Sequence, residues 1–237
     1  MNYKSSSELK SLAKGQLLGK YNVVIPATLL VALMTTFISF FASSFVSDTT
    51  VFGIAVNLLI SFMVDIITGV FIVGQIVMNL NIICKKPYFV SDIYYGFHFH
   101  TNKIIIVKSV IAILELLVSL PFIIFTNILE FHFSYTLMSA VLLSFIPAMV
   151  ITVLLELNLS MSYYLLVDFP DYTWKEVLKL SVKIMKGHKG RLFYIMVSFI
   201  PMFLLGLLPF GIGLLWVAPY YRMTITNFYL DLISEKN

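Results

Sequence analysis

NVVIPATLLVALMTTFISFFASSFV, residues Asn22–Val46, carries no charged side chain, and its reading decides the fold. A helix rises ~1.5 Å per residue and a bilayer's hydrocarbon core is ~30 Å thick, so about 20 apolar residues are enough to cross it. Comparable runs recur at Phe52–Ile83, Ile104–Thr126, Tyr135–Val167, Leu192–Leu208 and Ile212–Leu232. The chain therefore reads as an all-α polytopic membrane helix bundle of about six transmembrane helices, a single integral membrane domain over residues 1–237. The last run is the weakest of the set, because Arg222 interrupts it. Composition agrees: 59% hydrophobic and 12% charged residues, with a mean hydropathy of +0.94, lie far from a water-solvated protein. The first run is too long, and its polar lead too extended, for a cleavable signal whose apolar region is ~7–15 residues, so it is expected to be a retained span.

Lysine and arginine mark the sides of the bilayer. Lys4, Lys10, Lys14 and Lys20 precede the first run, and Lys85, Lys86, Lys103 and Lys108 flank the second connection. Lys175, Lys179, Lys183, Lys186, Lys189 and Arg191 fill the fourth, and Lys236 follows the last span. The alternate connections, Ser47–Val51, Asn127–Ser134 and Pro209–Gly213, hold only Asp48 and Glu130 as charges. Basic residues favour the cytoplasmic side of short loops, so both termini are expected in the cytoplasm and the chain in the plasma membrane. The net charge of +4 sits beside apolar runs rather than in a folded basic domain, which points to anionic lipid headgroups and away from nucleic acid. The single cysteine, Cys84, cannot form an internal disulfide.

Each pair of spans is preceded by a short segment with a helix-start signal. Ser5 with Glu8 and Thr173 with Glu176 have capping-box spacing; Ser91 followed by Asp92 is a weaker cap. These define cytoplasmic amphipathic segments at 5–20, 91–101 and 173–188. In the third, Trp174, Val177, Leu178, Ser181 and Met185 share a face opposite Lys175, Lys179, Lys183 and Lys186; in the first, Leu9, Leu12, Ala13 and Leu17 oppose Lys10 and Lys14. Those lysines are the expected headgroup contacts, with the apolar faces at the acyl boundary. From Lys20 to Lys103 is 83 positions and from Lys103 to Arg191 is 88, which suggests three helical-hairpin repeats. The competing explanation is that topology alone places bases before every odd-numbered span.

Asp65, Glu115, Glu156 and Arg222 fall within apolar runs. A charge at mid-bilayer costs roughly 2.5–3.5 kcal/mol on insertion scales, so such groups face the bundle interior or pair. Arg222 is the expected partner of a carboxylate, Glu156 first. Interhelical glue is the favoured reading, a proton or substrate path the other. Pro26, Pro121, Pro147 and Pro201 are candidate helix breaks. His98 and His100 lack a third ligand, Cys84 and His132 stand apart, and no phosphate loop, HExxH or GxSxG motif is present, so no cofactor, metal or catalytic residue is expected.

The stretch Ser160–Leu232 resembles a family of bacterial integral membrane proteins, domain of unknown function 975. The resemblance is carried by the break at Asp168–Pro170, by Met185 to Lys189, by the turn at Gly211 and Gly213, and by Pro219-Tyr220 and Asn227-Phe228-Tyr229. The amino-terminal ELKSLAKGQLLGKY matches it as well. It implies a six-helix membrane protein and no catalytic residues. The leading functional expectation is a non-enzymatic accessory or immunity-type component of an envelope or export system, with a membrane-protein partner. The alternative is a transporter or permease for a small solute or peptide, using the buried carboxylates, and it requires a polar cavity.

Overall fold

A computed structural model describes residues 3–44, 50–131 and 134–234. Asp48, His132, Lys236 and the end of the first span at Val46 lie outside them. Every regular element among the described residues is helical. The first unit is α1 (Ser6–Leu17), α2 (Tyr21–Ser43) and α3 (Val51–Ile83). The second is a 3₁₀ turn, Val90–Tyr94, followed by α4 (Tyr95–His98), α5 (Thr101–Phe131), α6 (Tyr135–Leu159) and α7 (Ser162–Asp168). The third is α8 (Trp174–Met185), α9 (Lys189–Leu207) and α10 (Leu214–Ser234).

Among the described residues, five helical stretches are long and apolar enough to cross a membrane: Tyr21–Phe41, Phe52–Ile83, Thr101–Leu129, Tyr135–Asp168 and Lys189–Leu207. α10 falls short on composition, yet it runs back antiparallel along α9. The two are joined by the turn around Gly211, which sits at φ 81°, and at their other ends Arg191 Nη2 lies 2.7 Å from Asp231 Oδ2. Its lower hydropathy has a packing cause, since Met223 to Tyr229 of α10 are buried inside the protein and need not be apolar to face lipid. The expected proline breaks do not occur. α2, α5, α6 and α9 run through Pro26, Pro121, Pro147 and Pro201, and α10 through Pro219. A long helix held by its neighbours tolerates the one backbone bond that a proline removes. The fourth span does break, at Ser160 and Met161, between α6 and α7.

The repetition suggested by the bases is present in the helix starts. N-caps Ser5, Phe89 and Thr173 are spaced 84 residues apart. So are Glu8, Asp92 and Glu176, each of which accepts from its N-cap N–H, at 2.6, 3.1 and 2.8 Å. The next residues, Leu9, Ile93 and Val177, are all buried. The weak cap expected at Ser91 is thus shifted: the N-cap is Phe89, two residues earlier, and Asp92 reaches back to it. N-caps Thr50 and Ser134 of α3 and α6 are again 84 apart.

The units close into a ring. Each amphipathic segment packs on the second long helix of the preceding unit: the 3₁₀ turn and α4 on α3, α8 on α6 and α7, and α1 on α10 of the last unit. Each first span does the same, α5 against α3, α9 against α6 and α2 against α10. The bases at the span starts repeat a different contact, each reaching the end of the second helix of its own unit. Lys20 Nζ donates to the carbonyl of Ile82 at the end of α3, and Lys103 Nζ donates to Pro170 and Tyr172 after α7. Arg191 donates to Asp231 near the end of α10 and to the carbonyl of Lys4 before α1. Topology alone would place a base near each entry; it would not give all of them the same job.

This ring changes the role of the amphipathic helices. Leu9, Ala13 and Leu17 of α1, and Val177, Ser181 and Met185 of α8, are buried against neighbouring helices rather than turned to acyl chains. The hydrophobic area that drives an interfacial helix into lipid is consumed here by protein packing.

Candidate functional site

Inside the ring, at the level where α3, α5, α6, α7, α9 and α10 converge, is a cavity of about 340 Å³. Three of the four intramembrane ionisable residues singled out from sequence line it: Glu115, Glu156 and Arg222. Glu115 and Arg222 lie near the middle of α5 and α10, and Glu156 lies one turn before the break between α6 and α7. Glu156 is exposed and Glu115 is half-buried.

The expected ion pair between Glu156 and Arg222 is not made. No carboxylate oxygen of the described residues lies within 4.0 Å of the Arg222 guanidinium, and Arg222 Nη1 is buried without a hydrogen-bond partner. Both residues line the cavity, so it is the open space between their helices, not a sequence separation, that leaves the pair unmade.

Asp65 is paired at 2.7 Å with Lys108, a residue that the sequence reading counted among the bases flanking the second connection. Lys108 stands on α5 two turns before Glu115 on the same face, is 9% exposed, and lines the cavity. Its seven-residue spacing from Glu115 was the available signal. Its stem lies across Gly69 of α3, where a Cβ would come within 2.7 Å of Lys108 Cγ. The absent side chain lets the ammonium reach Asp65, one turn earlier in α3.

Sequence reasoning also missed Gln75. It lines the cavity at 2% exposure, and neither its Oε1 nor its Nε2 has a partner. Asn79, one turn on, is 3% exposed; its Nδ2 reaches Thr226 Oγ1 at 3.5 Å, but its Oδ1 has none. The Tyr163 hydroxyl is likewise buried and unpartnered. A buried polar group left unpaired costs roughly 1–3 kcal/mol, so several aimed into one cavity require something polar there. Beside the cavity the three second helices are stitched together: Thr226 of α10 is 3.2 Å from the Tyr164 hydroxyl of α7 and meets Asn79 of α3, and the Tyr164 and Tyr229 rings stack.

The surface lysines behave differently from one another. Lys14, Lys175, Lys179, Lys183 and Lys186 are exposed, and Lys175 also lies over the Trp174 ring. Lys10 is engaged within the protein. Its Nζ donates to the Ser198 carbonyl and sits 4.5 Å from the centroid of the Phe199 ring, and burial pushes its ammonium below the usual lysine range. Glu8 and Glu176 are held below the ordinary carboxylate range by their hydrogen bonds from the Ser5 and Thr173 backbone and hydroxyl groups. Among the described residues no cluster of three or more His, Cys, Asp or Glu side chains could hold a metal ion.

Residues 1–236 match the family model described as "Protein of unknown function (DUF975)". The chain belongs to this family. The match spans the three units of the ring, in accord with the resemblance carried by the carboxy-terminal stretch and the amino-terminal segment. No curated protein and no solved structure matches the chain.

Proposed function

We propose that this chain is a permease-type protein of the plasma membrane that takes a small polar solute into the cavity bounded by Gln75, Asn79, Glu115 and Arg222, with both termini in the cytoplasm. One observation carries the reading: buried amide and guanidinium atoms without partners converge on an intramembrane cavity at the junction of three units. Transporters built from parallel repeats around an axis along the membrane normal place their substrate sites at such junctions near mid-membrane. The orientation is supported by α1, the Cys84–Phe89 connection and α8, which gather the lysines at one end.

The accessory or immunity-type role expected from sequence gives the cavity no task, and for that reason it stands second. The polar network read as glue is divided: Asp65 and Lys108 are paired, whereas Glu115 and Arg222 face open space.

The test uses thiol accessibility in sealed vesicles with the exposed native Cys84 replaced by serine. Ser160→Cys reports the mouth and Ile111→Cys the interior. A permease exposes Ile111→Cys to a membrane-impermeant thiol reagent from both sides, in different conformations. Labelling of neither site from either side would overturn the proposal.

A further inference from the structure

On the reading of the cavity as a solute site, we infer that its ligand is a small zwitterion of amino-acid size, joining a primary ammonium to a carboxylate or phosphate. Lys108 is already neutralised by Asp65, so its charge is not available to a ligand. Among the described residues that leaves Arg222, with Nη1 buried and free, as the cavity cation without an ion pair, and Glu115 as the half-buried cavity carboxylate without one within 4.0 Å. Glu156 also lines the cavity but is exposed, which makes it the less confined of the two carboxylates. The uncharged groups are split in the same way: Gln75 offers both a free donor and a free acceptor, and Asn79 Oδ1 is a free acceptor.

A purely anionic ligand would satisfy Arg222 but meet Glu115 and Glu156. A purely cationic one would satisfy Glu115 and leave the guanidinium desolvated beside it. A neutral polyol would engage the amides and leave both charges uncompensated, a penalty larger than that of an unpaired amide. Only a molecule carrying both signs pairs both Arg222 and Glu115: its anionic end on Arg222 and Gln75 Nε2, its ammonium on Glu115 with Asn79 Oδ1 or Gln75 Oε1. The volume of about 340 Å³ is at the small end of ligand cavities, roughly 300–1,000 Å³, and excludes large solutes.

Free amino acids and the headgroup of an aminophospholipid share this chemistry, and the experiment separates them. The full chain carrying Cys84→Ser and Ser160→Cys is reconstituted in phosphatidylcholine vesicles. Its labelling rate is measured with L-alanine, L-glutamine, L-alaninamide, which lacks the carboxylate, or N-acetyl-L-alanine, which lacks the ammonium; a parallel sample contains phosphatidylethanolamine and no free solute. A zwitterionic amino acid is expected to slow labelling by about tenfold or more, and each one-charge analogue to do so about a hundredfold less effectively, as expected of a site whose buried groups would be left unpaired. Protection should vanish in Arg222→Gln and in Gln75→Leu; the second variant keeps every charge and serves if the first fails to fold. Protection by phosphatidylethanolamine alone would identify the headgroup as the source and keep the chemistry. If Ser160→Cys labels but neither the amino acids nor phosphatidylethanolamine slow it, or if N-acetyl-L-alanine protects equally, the zwitterion inference falls while the solute cavity stands. No labelling of Ser160→Cys under any condition would remove both.

Discussion

Two polar sites in this protein hold buried charge and are built on opposite principles. At the basic end, Asp231 is 5% exposed and saturated: Arg191 Nη2 bonds its Oδ2 at 2.7 Å, and the Lys4 backbone N–H and ammonium approach its Oδ1 at 3.3 and 3.5 Å. The Arg191 guanidinium also lies over the rings of Tyr3 and Phe228. In the cavity, by contrast, Gln75 and Arg222 are surrounded by protein and aimed at nothing within it. The first arrangement joins α1, α9 and α10 and closes the ring; the second destabilises the empty protein and makes sense only with an occupant. Burial alone therefore does not tell glue from site. Arg191 leaves its Nη1 unbonded, as Arg222 does, yet it has found a carboxylate, and that counter-charge marks the difference.

The contrast should be visible in stability. Asp231→Ala leaves Arg191 without its carboxylate and should cost about 3–5 kcal/mol, the range for removing one partner of a buried pair, measured as the shift in reversible unfolding in mixed micelles. Gln75→Leu should be neutral, or stabilise by up to about 1–3 kcal/mol, because it deletes unpaired polar atoms in an apolar wall. If Gln75→Leu proved the more damaging change, the distinction between the two sites would collapse.

Gly69→Ala should cost about 1–3 kcal/mol, the usual scale for overpacking, because the new methyl meets the Lys108 stem and pulls the ammonium off Asp65. The same unfolding measurement checks it, and Asp65→Asn should mask most of the effect if the two act through one ion pair.

Smaller still, Thr173→Ala removes the hydroxyl that accepts from the Glu176 N–H and should lower the stability of α8 by about 0.5–2 kcal/mol, read as faster amide exchange there. Glu8 and Glu176 add a pH dependence of definite sign. Their carboxyl pKa values are depressed in the folded protein, so their contribution is complete above the ordinary glutamate value of about 4.3 and is lost as pH falls through the lower folded values. Exchange protection of α1 and α8 should weaken over that acidic window, and Glu176→Gln should flatten the response in α8 alone.

The spans, the two capping boxes and the Asp168 break were legible in sequence because each depends on neighbours within a few residues. The repeat was legible as basic residues at the span starts, and the structure supplies what those positions lacked, a common contact for Lys20, Lys103 and Arg191. Glu115, Glu156 and Arg222 could be picked out because a charge in an apolar run is conspicuous. Gln75 could not, since an uncharged amide in a transmembrane helix attracts no notice until its surroundings are known. Lys108 was misassigned for a related reason: only eight positions into a helix that starts at Thr101, it looks like a flank unless the helix boundary is already fixed. The docking of α1 on α10 joins residues more than two hundred positions apart, and no local pattern encodes it.

Closure of the ring by that docking is the claim on which the cavity's enclosure depends. Gln16 and Asn227 exchange hydrogen bonds at 3.0 and 2.7 Å across the α1–α10 contact. With Cys84 replaced by serine, the pair Gln16→Cys and Asn227→Cys should form a disulfide within one chain under mild oxidation in native membranes, detected after proteolytic cleavage between the units. Cross-linking only between separate chains, or none under conditions where both thiols label freely, would contradict the closed three-unit ring.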